Sequence, residues 1–131
     1  IPNLDIAILK VDSKNLPALP IGDSDKLVNG QTIIVLGNPM GLERSVSSGL
    51  VGALRSKGDI KLIQMTAPVS PGSSGGPVIN EYGEVVGITT IAYFFMAQNL
   101  NFAVPINYLN KITEKKKYGC KNHDGLRDYT T

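Results

Sequence analysis

Residues 70–91 read Ser70-Pro71-Gly72-Ser73-Ser74-Gly75-Gly76-Pro77-Val78-Ile79-Asn80-Glu81-Tyr82-Gly83-Glu84-Val85-Val86-Gly87-Ile88-Thr89-Thr90-Ile91. A loop rich in glycine and serine, 70–76, runs into a short apolar segment at 77–80. The chain turns at Glu81-Tyr82-Gly83 and returns through 85–91, the pattern of a loop feeding a β-hairpin. Working back from it, 61–66 reads as a strand after the turn at Gly58-Asp59. The weakly alternating 45–54 holds two glycines and reads as a bent strand. The continuous apolar run 32–36 reads as a buried strand that stops at Gly37-Asn38-Pro39. Working forward, 101–104 is a last short strand ended by Pro105. Ile106, Leu109 and Ile112 then recur at helical spacing, which predicts a helix over 106–116. Near the start, 5–11 alternates Ile6, Ile8 and Val11 as a strand would, and 15–25 is loop-like. About six short strands between 32 and 104 predict an all-β fold, a small barrel with a short C-terminal helix.

Composition agrees with that class. Fourteen glycines and eight prolines in 131 residues suit a turn-rich β protein better than a helical bundle. The length fits one domain. Charged residues make up 18% with a net charge of +2, and Lys115-Lys116-Lys117 is the one basic run, so a nucleic-acid partner is not expected. A single cysteine, Cys120, excludes an internal disulfide. No apolar run approaches the roughly 18 residues of a membrane-spanning helix. The chain opens at Ile1 rather than Met, so the sequence is expected to continue upstream, and the compartment is not read from it.

Chemistry concentrates in Pro71-Gly72-Ser73-Ser74-Gly75-Gly76-Pro77. A serine hydroxyl is a poor nucleophile until a base takes its proton and a pocket stabilises the developing oxyanion. Backbone N–H groups form such a pocket where the chain turns tightly without Cβ crowding, and glycines two before and one after a serine allow that. Gly72 N–H and Ser74 N–H could then converge beside the Ser74 hydroxyl, with Ser73 between them. A plain Gly/Ser turn between strands is the competing reading. A phosphate-cradling loop is disfavoured, because the Gly-Lys-Ser/Thr ending is missing and a strand follows instead of a helix.

The run Gly72-Ser73-Ser74-Gly75-Gly76-Pro77 resembles the Gly-Asn/Asp-Ser-Gly-Gly-Pro signature of trypsin-like serine proteases, with Ser74 at the nucleophile position. The neighbouring motifs narrow the resemblance to the HtrA/DegP-like branch. Asp5-Ile6-Ala7-Ile8-Leu9-Lys10 is similar to the strand carrying the catalytic aspartate, and Ile21-Gly22-Asp23-Ser24-Asp25 to the linker between barrels. Leu36-Gly37-Asn38-Pro39-Met40-Gly41-Leu42 is similar to the first loop of the second barrel. Ile63-Gln64, Pro77-Val78-Ile79-Asn80, Val86-Gly87-Ile88-Thr89 and Asn101-Phe102-Ala103-Val104-Pro105 continue in order, so the resemblance covers about 3–110. Two positions depart from it: Ser73 replaces the usual Asn or Asp, and Thr66 stands where many members have Asp.

The resemblance implies a six-stranded trypsin-like barrel, the second of two. Residues 1–25 would be the end of the first barrel and the linker, 26–105 the second barrel, 106–116 the helix and 117–131 a polar tail. It gives Ser74 and Asp5 the catalytic roles and Gly72, Ser73 and Ser74 the oxyanion hole. The substrate pocket would be lined by Ala67, Pro68, Val69, Ile88, Thr89, Thr90 and Ala103. That lining carries no carboxylate, which predicts small to medium aliphatic side chains rather than Lys or Arg. The apolar loop 91–97 would rim the pocket, touch another subunit or pack internally.

One partner of the triad has no place in this sequence. The imidazole that accepts the serine proton lies upstream of the aspartate in this branch, whereas the one histidine here is His123, after the serine. His123 reads as a solvated tail residue. Cys120 and His123 make only half of a zinc site, so neither metal nor cofactor is expected. These 131 residues are therefore expected to be a fragment that lacks the first barrel and is inactive alone. Loss of the base costs roughly 10⁶-fold in turnover in an unrelated serine protease. The apolar face of the first 20 residues would then need a cover from the second barrel, another chain or the missing barrel. The function implied is a serine endopeptidase acting on misfolded or unstructured proteins, in the cell envelope, periplasm or outside the cell, with a homo-oligomer as a further expectation. The alternative is a pseudoprotease or a peptide-binding regulatory module.

Overall fold

The computed structural model describes residues 4–9, 11–38, 45–90, 100–110 and 112. Six strands form a closed barrel: β1 (Thr32–Gly37), β2 (Ser45–Lys57), β3 (Ile60–Met65), β4 (Pro77–Asn80), β5 (Val85–Thr90) and β6 (Asn101–Pro105). Around the barrel they run β1-β2-β3-β6-β5-β4, and β1 pairs with β4 to close it. Each pairing among these six strands is antiparallel, and Ile21 makes an isolated parallel bridge to Val85. Closure leaves none of these six strands as an exposed sheet edge, which a short-stranded all-β chain otherwise has to protect.

Period-two alternation places one side chain of each pair inside. Ile33, Val35, Val51, Ile63, Met65, Val78, Val86 and Ala103 fill the interior, with Leu27 and Ala67 from the flanking loops. A second cluster sits on the outer side of β3 and β6, where Leu62, Phe102 and Val104 meet Ile6, Tyr108 and Ile112. These two strands are therefore buried on both faces. Residues 108–110 and 112 are helical; Tyr108 and Ile112 belong to that cluster and Leu109 packs against it. The helix starts two residues later than expected, because 106 and 107 form a turn; residues 111 and 113–116 and the tail 117–131 lie outside the described residues, as does the loop 91–97.

Strands 32–36, 61–66, 77–80, 85–91 and 101–104 sit where the sequence places them, to within a residue among the described positions. β2 runs to Lys57, three residues further than its alternation suggests, with an irregularity between Val51 and Ala53. Such a bulge lets one long strand bend around a small barrel. Segment 5–11 differs from expectation: its described residues are irregular, not a strand. A strand needs a hydrogen-bonded neighbour, and none of the described strands pairs with it. Among its described residues only Ile6 is buried, while Ile8, Leu9 and Val11 are exposed. Residues 15–25 are a loop as read, ending in a one-turn 3-10 helix, Ser24–Lys26, that Asp23 caps.

Candidate active site

The loop 70–76 is built from two consecutive turns. Pro71 and Gly72 occupy the central positions of the first, with Gly72 at φ +96°, and Ser73 N–H donates to the Ser70 carbonyl at 3.0 Å. Proline second and a positive-φ glycine third is the residue choice of a type II turn. In the second turn Ser74 and Gly75 are central, Gly75 has φ +86°, and Gly76 N–H donates to the Ser73 carbonyl at 3.0 Å. Gly76 then passes so close to β1 that a Cβ there would lie 2.1 Å from the Leu36 carbonyl oxygen. The loop is thereby wedged against the barrel rather than left to move on its own. Ser74 sits exposed at its tip. Among the described residues, the N–H groups of Gly72 and Ser74 and the Ser74 hydroxyl find no hydrogen-bond partner. Two backbone donors flanking a free hydroxyl are the elements of an oxyanion-binding site.

Strand β5 ties this loop to Asp5. Gly75 N–H donates to the Thr89 carbonyl at 2.8 Å, and Thr89 N–H to the Gly76 carbonyl at 2.9 Å. The next residue, Thr90, donates its hydroxyl to Asp5 Oδ2 at 2.5 Å. Asp5 reaches this point because its neighbours are anchored. Leu4 and Ile6 belong to the outer cluster with Phe102, and Phe102 is the cross-strand partner of Thr90. Asp5 itself takes φ +52° in the turn between them, a conformation that aspartate tolerates better than most residues. The structure thus brings Ser74 and Asp5 to the same end of β5. His123 lies outside the described residues.

The expected pocket residues divide into two groups. Ala67 and Ala103 are fully buried in the barrel interior, Val69 is half-buried against it, Ile88 is half-buried and Pro68 is exposed. Segment 66–68 is held from both sides: Asn101 Nδ2 donates to the Ala67 carbonyl at 2.9 Å and Ser47 Oγ to the Pro68 carbonyl at 2.7 Å. Thr66 accepts from Leu50 N–H at 2.8 Å, so its hydroxyl fixes β2 to this segment. Thr89 and Thr90 form the other group, because their hydroxyls are engaged with the serine loop and with Asp5. Sequence reasoning missed that role. The available signal was a buried pair of hydroxyls ending an otherwise apolar strand, since buried hydroxyls require partners.

Elsewhere, a groove of about 400 Å³ lies at the far end of the β4–β5 hairpin, against Asp23, Asn80, Tyr82 and Glu84. Among the described residues no three His, Cys, Asp or Glu side chains gather as a metal-binding group.

Comparison with known proteins agrees with the barrel fold. The family model described as "Trypsin-like peptidase domain" matches residues 1–88. A Synechocystis sp. protein bearing the name serine protease HhoB is 42% identical over 118 residues, 84% of this chain and 28% of that protein. A periplasmic serine endoprotease named DegP-like, from Pseudomonas fluorescens, is 38% identical over 128 residues, 92% of this chain and 26% of that protein. Among solved structures, the HtrA-type protease AlgW with a decapeptide superposes with a TM-score of 0.72 at 32% identity, over 83% of this chain and 36% of that one. The chain spans about a quarter of the length of the curated relatives it matches.

Proposed function

This chain belongs to the trypsin-like peptidase domain family, on its HtrA/DegP-like branch, and from that premise we propose that it carries the nucleophile and aspartate of a serine endopeptidase whose histidine comes from a first barrel. Ser74 Oγ attacks the peptide carbonyl while that histidine takes its proton, and Asp5 orients the imidazole and stabilises its charged form. The N–H groups of Gly72 and Ser74 receive the oxyanion; as it collapses the C–N bond breaks and the histidine passes its proton to the departing amine, and water deprotonated by the same histidine then releases the acyl group from Ser74. The observation that carries this reading is that consecutive residues of β5 hold both partners, Thr89 the serine loop and Thr90 the aspartate.

The proposed substrates are unstructured or misfolded polypeptides. The relatives named periplasmic and the neighbour solved with a decapeptide support a peptide substrate met in the cell envelope. We place the substrate pocket at Pro68, Val69 and Ile88 over the buried Ala67 and Ala103, none of which is a carboxylate. It favours small to medium aliphatic side chains over Lys or Arg.

The test is fluorophosphonate labelling of the whole protein together with a peptide-library cleavage profile. Labelling that maps to Ser74 and disappears in Ser74→Ala, with cleavage after aliphatic residues, is the expected result. A whole protein that neither labels nor cleaves peptides overturns the enzyme reading and leaves a peptide-binding module. Preference for Arg overturns the pocket assignment alone.

A further inference from the structure

We propose that Thr89 is a positioning residue that holds the oxyanion-binding site open, an inference that rests on the protease reading above. Thr89 is 2% exposed, inside a strand whose other inward side chains are apolar. Its hydroxyl contacts two carbonyl oxygens of the serine loop, those of Ser73 and of Gly76, the latter at 3.0 Å. The Ser73 carbonyl also accepts from Gly76 N–H.

This contact sets the direction of a catalytic donor. The Ser73 carbonyl and the Ser74 N–H belong to one planar trans peptide, so they point in opposite directions. Drawing the carbonyl oxygen inward to Thr89 therefore turns the Ser74 N–H outward, on the exposed side where its hydroxyl stands. Without the Thr89 hydroxyl, the Ser73 carbonyl keeps only the Gly76 N–H. The peptide is then freer to rotate and offer its oxygen, rather than its N–H, to the substrate. The side chain of residue 73 has little room to take over: Ser73 is buried, and a Cβ on Gly37 would lie 2.7 Å from its Oγ.

The experiment compares Thr89→Val, which keeps the branched shape and deletes the hydroxyl, with Thr89→Ser, which keeps the hydroxyl, in the whole protein. In Thr89→Val we expect kcat and the fluorophosphonate rate to fall by about 10- to 100-fold, below the 10²–10³ lost when an oxyanion donor is deleted outright. KM should change by less than about threefold, because the hole acts on the transition state, and Thr89→Ser should recover most of the rate. A Thr89→Val protein with a lower melting temperature and an unchanged kcat well below it would reduce Thr89 to a packing residue and overturn the proposal. Should that variant not fold, NMR of the unaltered protein decides. A slowly exchanging Thr89 hydroxyl proton supports the clamp, and one in fast exchange with water overturns it. If wild type and Ser74→Ala show equal activity, the protease reading fails first, and the clamp with it.

Discussion

The Thr90 hydroxyl donates to Asp5 Oδ2 at 2.5 Å, joining residues 85 positions apart. It links a strand of the barrel to a segment that makes no strand of its own, and it ends on the side chain proposed to steer the histidine. A hydrogen bond to a carboxylate is worth about 1.5–3 kcal/mol. Thr90→Val is therefore expected to lower kcat/KM of the whole protein by about 10- to 100-fold, and Thr90→Ser to stay within about threefold of wild type. Steady-state kinetics on a peptide substrate check this. A Thr90→Val enzyme at wild-type rate would show that Asp5 is oriented from elsewhere.

Two glycines separate close packing from backbone strain. A Cβ on Gly76 would strike the Leu36 carbonyl oxygen, a backbone atom that cannot rotate away, so Gly76→Ala must push the serine loop off β1. Gly58, in the β2–β3 turn, has φ +58° and open space around its Cβ position. Gly58→Ala should cost about 1–2 kcal/mol, the strain of a left-handed residue, and leave activity intact. Gly76→Ala should cost at least the roughly 1–3 kcal/mol typical of overpacking and abolish Ser74 labelling. Thermal melts and fluorophosphonate labelling of the two variants settle the contrast, and a labelled Gly76→Ala protein would contradict it.

Most of the barrel was legible because its strands announce themselves. Val78 and Ile79 between Pro77 and the Glu81-Tyr82-Gly83 turn, and Ile33 with Val35 before Gly37, are apolar runs with clear ends. The Gly72-Ser73-Ser74-Gly75-Gly76 loop was legible because its glycines sit where the turns need positive φ. The segment 5–11 was misread because alternation reports only that a strand is possible, and pairing depends on a neighbour the local sequence does not name. The roles of Thr89 and Thr90 were hidden for a similar reason. A threonine in a strand is as consistent with β-propensity as with a hydroxyl aimed at a distant acceptor. Only the register Thr89↔Ala103 and Thr90↔Phe102 places those two hydroxyls beside the serine loop and Asp5.

The helix after β6 is locked to the β2–β3 hairpin by one hydroxyl. Tyr108 Oη accepts from Lys61 N–H at 2.8 Å and donates to the Asp59 carbonyl at 3.2 Å, with the ring buried among Leu62, Phe102 and Val104. Tyr108→Phe keeps the ring and removes both bonds, leaving a partly buried N–H unpaired. The expected cost is about 1–3 kcal/mol, with no change in Ser74 labelling. Denaturant unfolding measures the first and the fluorophosphonate rate the second. A labelling defect at full folding would mean that the hairpin communicates with the site.

The loop 15–25 joins the barrel through a carboxylate, which gives that junction an acid limit. Asp23 accepts from Asn107 Nδ2 at 2.8 Å and from Asp25 N–H at 3.1 Å, with Lys26 Nζ at 3.5 Å. Chiefly the Asn107 bond, then the Asp25 N–H, hold its carboxyl below the usual value near 3.8. A carboxyl whose folded pKa is depressed stabilises the fold at pH values above its unfolded pKa, and that contribution is lost as pH falls through the folded one. The junction should therefore be intact from neutral pH down to about 4 and loosen only in stronger acid. NMR titration is expected to show the Asp23 carboxyl and the Asn107 side-chain amide moving together, with a midpoint below 3.8. In Asp23→Asn the Asn107 amide keeps its bond to Asp25 Oδ2, at 3.0 Å, and should lose the movement whose midpoint lies below 3.8. A midpoint at or above 3.8 in the wild-type protein would mean that the Asn107 bond does not hold the ionised form.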